Sequence, residues 1–115
     1  MRHYERNMDE IVTNEHGGKQ SKIAGKCTEI PPLAMIELSS VMGIGADNYP
    51  RESDGTPNWY KIDSFSNLDH CLEHAFNFLV ERNKPDRDIA FMREELSHCA
   101  ARACMALEMF LKENT

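Results

Sequence analysis

The chain has 115 residues, 41% of them hydrophobic, and a formal net charge of -6. That length bounds it to one domain with a modest core, and the acidic balance argues against a nucleic-acid polymer as partner. No apolar run reaches membrane-spanning length and Met1-Arg2-His3-Tyr4-Glu5 opens no signal peptide, so no membrane partner is expected and the chain should be cytoplasmic.

Residues 1 to about 28 hold few apolar side chains and no clear periodicity. A flexible arm over residues 1–16 is expected there, followed by a single α-helical domain over residues 17–115. Pro31-Pro32 suits a helix start, since proline lacks a donor that the first turn leaves unpaired anyway. Leu33, Ile36, Val41 and Ile44 follow at near-helical spacing, and Gly43 and Gly45 are expected to end that helix. Asp47 to Lys61 reads as a loop, broken by Pro50, Gly55 and Pro57. A loop so long is uncommon unless it binds something or lies over a site. Trp59 closes it, either as an anchor onto the helices or as a stacking surface for a base.

Asp63 or Ser64 is a credible cap for a second helix running to about Arg82, with Phe65, Leu68, Leu72, Ala75 and Leu79 as its inward stripe. A third helix should start near Asp88 and is the most apolar element. Such a helix must be covered on most sides, which three helices alone do poorly, so a homo-oligomer is expected. No β alternation is visible. The fold class is therefore all-α, a small bundle of about three main helices completed by oligomerisation.

Residues three or four apart share a helix face. His70, Glu73, His74 and Asn77 form one polar strip, with Glu81 a turn further, and Glu94, Glu95, His98 and Arg102 form another. A short connection favours antiparallel packing, which lets the strips face each other. Carboxylates from two helices aimed at one point make an oxygen-lined site for Mg²⁺, which suits phosphate substrates. Glu73, Glu81, Glu94 and Glu95 are the candidate ligands, with Asp69 behind them. His74 and His98 suit Mg²⁺ poorly and read better as a base on water, or as ligands to Mn²⁺. Arg102 has the two-pronged geometry that grips a phosphate. Cys27, Cys71, Cys99 and Cys104 include no C-x-x-C pair and read as reduced thiols. A zinc site from Cys71, His74, His98 and Cys99 is the sharper alternative.

Several stretches carry a resemblance. Gly17-Gly18-Lys19-Gln20-Ser21 comes first, then Ile30-Pro31-Pro32 leading a helix. Gly43-Ile44-Gly45-Ala46-Asp47-Asn48-Tyr49 and Asn58-Trp59 follow. In that order they resemble the phage-associated dATP/dGTP diphosphohydrolase N-terminal domain family, itself similar to the MazG-like all-α nucleotide pyrophosphohydrolases. The resemblance covers about residues 17 to 111. His74 and His98 match the family's histidines, Glu81 lies within one residue of its glutamate, and Asp86 matches an acid in the turn. Glu73, Glu95, Arg102 and Asn48 depart from the pattern, standing where arginine, histidine, asparagine and lysine are usual.

The resemblance implies a Mg²⁺-dependent enzyme that cuts a purine deoxynucleoside triphosphate into monophosphate and pyrophosphate, in a host cytoplasm if phage-encoded. Glu73, Glu81, Glu94 and Glu95 would then hold the metal, and His98 or His74 would orient or deprotonate water. Lys19 and Arg102 would contact phosphates, with Tyr49 or Trp59 over the base. The alternative is a catalytically silent assembly module that kept the fold.

Overall fold

The computed structural model describes residues 7–22 and 25–115. They belong to two compact units, Met1–Pro32 and Leu33–Thr115.

The first unit is built on a hairpin. Strand β1 (Asn7–Thr13) pairs antiparallel with β2 (Lys19–Lys22), in a register that sets Ile11 against Ser21 and Thr13 against Lys19. Asn14 makes the turn: its side-chain oxygen accepts the backbone N–H groups of His16 (3.0 Å) and Gly18 (2.8 Å). Gly17 follows at φ +84°, a backbone state costly for any residue with a Cβ. A short 3-10 turn spans Cys27–Glu29.

The chain is otherwise built of helices, as the all-α reading expects, and this small hairpin is an addition to it. Residues 10 to 20 are all exposed, so over that span the ladder buries no face and imposes no alternation that the sequence could display. Of the expected arm, residues 1–6 lie outside the described residues, and Asn7–Thr13 is strand.

The second unit holds three helices, α1 (Pro32–Asn48), α2 (Ser64–Arg82) and α3 (Ile89–Glu113). Contrary to expectation α1 runs through Gly43 and Gly45, neither of which takes positive φ. A helical glycine costs only about 1 kcal/mol relative to alanine, and neighbouring turns absorb it. What stops α1 is Pro50, whose ring disfavours a helical Tyr49. The loop that follows folds back on itself at Gly55 (φ +85°), where Glu52 N–H donates to Thr56 O at 2.9 Å. It ends in a 3-10 turn over Asn58–Lys61.

Of the two candidates for the α2 cap, Asp63 forms it, and Asp88, where α3 is expected to start, caps that helix. Asp63 accepts the N–H of Ser66 at 2.7 Å and Asp88 that of Phe91 at 3.1 Å. Glu113, at the far end of α3, adds a second acceptor for the start of α2, taking the Ser64 N–H (3.0 Å) and hydroxyl (2.7 Å). The turn between α2 and α3 is closed by Glu81, whose carboxylate accepts from Asp88 N–H (2.9 Å) and Lys84 Nζ (3.0 Å). Contacts thus pair the end of one helix with the start of the other: α2 and α3 are antiparallel. An ion pair from Arg93 to Glu37 fastens α1 to α3.

The inward stripe of α2 is not the expected one. Phe65, Leu68, Leu72 and Leu79 are 71%, 44%, 44% and 49% exposed. Asn67, Cys71, His74, Phe78 and Glu81 turn towards α3 instead, at alternating spacings of four and three. The only buried hydrophobic residues among those described are Met92 and Ala101, beside buried Asn67 and Glu81. Leu96, Leu107 and Phe110 of α3 are each more than half exposed. Within one chain, α3 is not covered as its composition demands. Among the described residues no helix is long and apolar enough to cross a membrane.

Candidate functional site

The α2–α3 seam is polar along most of its length. His74 Nδ1 meets Glu95 Oε2 at 2.6 Å, and the Asn77 amide reaches the same oxygen at 3.5 Å. The His98 ring stacks on that of His74, centroids 5.2 Å apart and planes 29° from parallel. One turn along, the thiols of Cys71 and Cys99 face each other at 3.7 Å. Beyond them Arg102 Nη1 donates to the side-chain oxygen of Asn67 at 3.0 Å. The two polar strips read from the sequence therefore do meet, through His74, Asn77, Glu95 and His98, while Arg102 meets Asn67, outside the strips.

His98 and Arg102 also line a cavity of about 570 Å³ between α1, the loop after it and α3. Val41, Ile44, Ala101 and Met105 give it apolar walls, and Tyr49, Trp59, Asn48, Asn58 and Arg51 stand around it. Its volume is that of a small-molecule site, and the mixture of apolar wall with a few polar groups is what such sites show. The wall is held from outside. Trp59 packs edge-on against Tyr60 (4.7 Å), and Lys112 of α3 sits over the Tyr60 ring at 4.5 Å. Arg51 donates to Gly55 O at 2.6 Å, so its guanidinium is already oriented.

Other expected site residues lie apart. Glu73 and Glu94 are exposed and make no hydrogen bond or ion pair among the described residues. Glu94 borders a smaller groove of about 240 Å³ with Glu37, Ser40 and Arg93. Glu81 is two helical turns from His74, about 10 Å along the axis, and is engaged by the turn. The Asp88 N–H, then Lys84, hold its carboxyl below the usual carboxylate range. Glu37 is lowered too, by Arg93. Lys19 is exposed, at the start of β2 in the hairpin unit.

Among the described residues, no three histidine, cysteine or acidic side chains come together to hold a metal ion. The donors of one chain thus do not fit a ready-made Mg²⁺ cage. Nor do they fit the zinc alternative, although Cys71, Cys99, His74 and His98 are neighbours.

Asn67 and Arg51 are not among the residues that the sequence singles out. Asn67 could have been found by its place in the four-three repeat with Cys71, His74 and Glu81; Arg51 was a cation inside a loop already marked as a binding element.

A family model described as dATP/dGTP diphosphohydrolase, N-terminal, matches residues 14–115. No curated protein and no solved structure matches the chain.

Proposed function

This chain belongs to the dATP/dGTP diphosphohydrolase N-terminal family, and on that premise we propose that it hydrolyses a purine deoxynucleoside triphosphate to monophosphate and pyrophosphate. One observation carries the reading. Segments that gave the family resemblance, Ile44, Gly45, Ala46 and Asn48 at the end of α1 with Tyr49 after it, and Asn58-Trp59, border the same cavity as His98 and Arg102. An apolar slot with an indole and side-chain amides suits a purine, whose faces stack and whose edge both donates and accepts. Guanidinium groups at Arg51 and Arg102 suit its phosphates.

In this reading Trp59 and Tyr49 cover the base and Arg102 grips phosphate. His98 takes the proton of the attacking water. Behind it His74, held by Glu95, fixes the stacked ring and stabilises positive charge arriving on it. Mg²⁺ or Mn²⁺ belongs to the reading as the ion a triphosphate brings with it, since the described residues of one chain gather no cage of their own. Glu73, Glu81 and Glu94 therefore stand as ligands only if nucleotide binding or a second copy assembles them. The setting proposed is the cytoplasm, where deoxynucleotides are made and used.

A second copy is also part of the proposal. Phe65, Leu68, Leu72, Phe76 and Leu79 run along the outer face of α2, from 44% to 71% exposed, at coiled-coil spacing. A chain that buries so little apolar surface alone gains a core by pairing this stripe with its equivalent. The same stripe, and the missing metal cage, favour the rival reading of a silent assembly module.

Incubation with dATP or dGTP and Mg²⁺ should release pyrophosphate, and Glu95→Gln should abolish the release. Orthophosphate in its place, or no hydrolysis across a nucleotide panel, rejects the proposal; the second result supports the assembly module.

A further inference from the structure

Asn67 is fully buried, at 0% exposure, in a seam where an unsatisfied amide would be costly. Every part of its carboxamide is used. The nitrogen donates to Ile62 O (3.3 Å) and Asp63 O (3.1 Å), and the oxygen accepts from Arg102 Nη1 (3.0 Å). Those partners belong to different parts of the cavity. Ile62 borders it at the end of the segment that carries Trp59, and Arg102 borders it from α3.

We propose that Asn67 is a positioning residue: it sets the Arg102 guanidinium for phosphate and ties that group to the wall carrying Trp59. The inference rests on the nucleotide reading above. A guanidinium has five N–H donors in a rigid fork. Fixing one of them on Asn67 settles the plane of the group and leaves the others for a ligand. A free arginine side chain would have to be ordered by the ligand at the expense of affinity, whereas one already held is not. Because the same amide fixes Ile62 and Asp63, the spacing between base wall and phosphate grip is set by one side chain. Asn67 touches neither base nor phosphate in this scheme and acts only through its partners.

The test compares dATP with deoxyadenosine, by calorimetric binding, for the whole chain and for Asn67→Ser, Asn67→Asp, Arg102→Ala and the double variant Asn67→Ser/Arg102→Ala. Melting temperatures are recorded alongside. Asn67→Ser should raise the Kd for dATP about tenfold, the worth of one hydrogen bond to a charged group, with deoxyadenosine unchanged. In the Arg102→Ala background it should have no further effect on dATP. Asn67→Asp keeps the acceptor for Arg102 but gives up the donor to Ile62 and Asp63 and offsets the positive charge of Arg102, so it too should weaken dATP selectively. Equal losses for dATP and deoxyadenosine, additive effects in the double variant, or an unchanged dATP Kd in Asn67→Asp overturn the positioning role. No dATP binding by the unaltered chain overturns the nucleotide reading itself, and this inference with it.

Discussion

His74 and Glu95 stand 2.6 Å apart across the α2–α3 seam, with their side chains 25% and 14% exposed. An ionised carboxylate only accepts, so the imidazole donates through Nδ1 and its ring is fixed in plane and tautomer. The stacked His98 ring is thereby fixed as well, facing the cavity. Glu95→Gln keeps the size of the side chain but replaces an acceptor-only carboxylate with an amide and removes its negative charge from beside the stacked rings. Pyrophosphate release should fall by about 100-fold or more, with the helical circular dichroism unchanged. A variant as active as the parent would separate this pair from catalysis.

Trp59 borders the cavity beside Asn58 and is braced by Tyr60. Replacing it with alanine removes a stacking face without touching the seam. Stacking of a base on an aromatic ring is worth about 1–3 kcal/mol, so Trp59→Ala should raise the Kd for dATP or dGTP by roughly 5-fold to 150-fold. Isothermal titration measures it. A loss equal for pyrophosphate alone would show that the ring supports the phosphate end instead.

Metal dependence gives a different kind of evidence. With no three donors gathered among the described residues of one chain, Mg²⁺ alone should leave Trp59 fluorescence unchanged. Added with dATP it should change the emission, because magnesium commonly binds through one or two carboxylates together with substrate phosphates. A saturable response to Mg²⁺ without nucleotide would reveal an ion site formed by the protein itself, for instance between copies.

Much of this was legible in the sequence, and what was not shares a physical cause. The caps at Asp63 and Asp88 act through side chains three residues from their targets, so local pattern suffices to find such helix starts. The meeting of His74 with Glu95 needed only helix periodicity and a short turn. The stripe of α2 misled because apolar spacing marks a face that wants cover without saying which neighbour supplies it. Phe65 and Leu72 are open in a single chain, while Asn67 and Glu81, polar by type, are buried because each has its hydrogen bonds satisfied. The cavity was half visible: its loop could be marked, but the walls given by Val41 and Ala101 come from helices far apart in sequence.

Glu81 closes the α2–α3 turn, and its lowered pKa makes a claim about pH. The Asp88 N–H is the larger cause and Lys84 the second. A carboxyl whose folded pKa lies below its unfolded value stabilises the fold fully above the unfolded pKa, and the contribution is lost as pH falls through the folded one. Glu81→Gln should therefore lower Tm most near neutral pH, and the gap to the parent should close below the carboxylate range. A gap independent of pH would mean that the amide loses only packing, not a charge-assisted bond. Thermal melts at several pH values decide it.

Cys71 and Cys99 supply the last prediction. Burial is the main influence on the Cys71 thiol and pushes its pKa up, and the neighbouring Cys99 thiol adds to the rise. A thiol kept protonated is a poor nucleophile, because the thiolate is the reacting form. Near neutral pH, iodoacetamide should label Cys71 well after exposed Cys27, with a rate that keeps climbing into alkaline solution. Cys99→Ala removes the smaller cause and leaves burial, so labelling of Cys71 should quicken only modestly. Peptide mass spectrometry after timed quenching follows each thiol separately. Early labelling of Cys71 would mean that the seam between α2 and α3 opens readily, which the contacts of Asn67, His74 and Glu81 along the same face oppose.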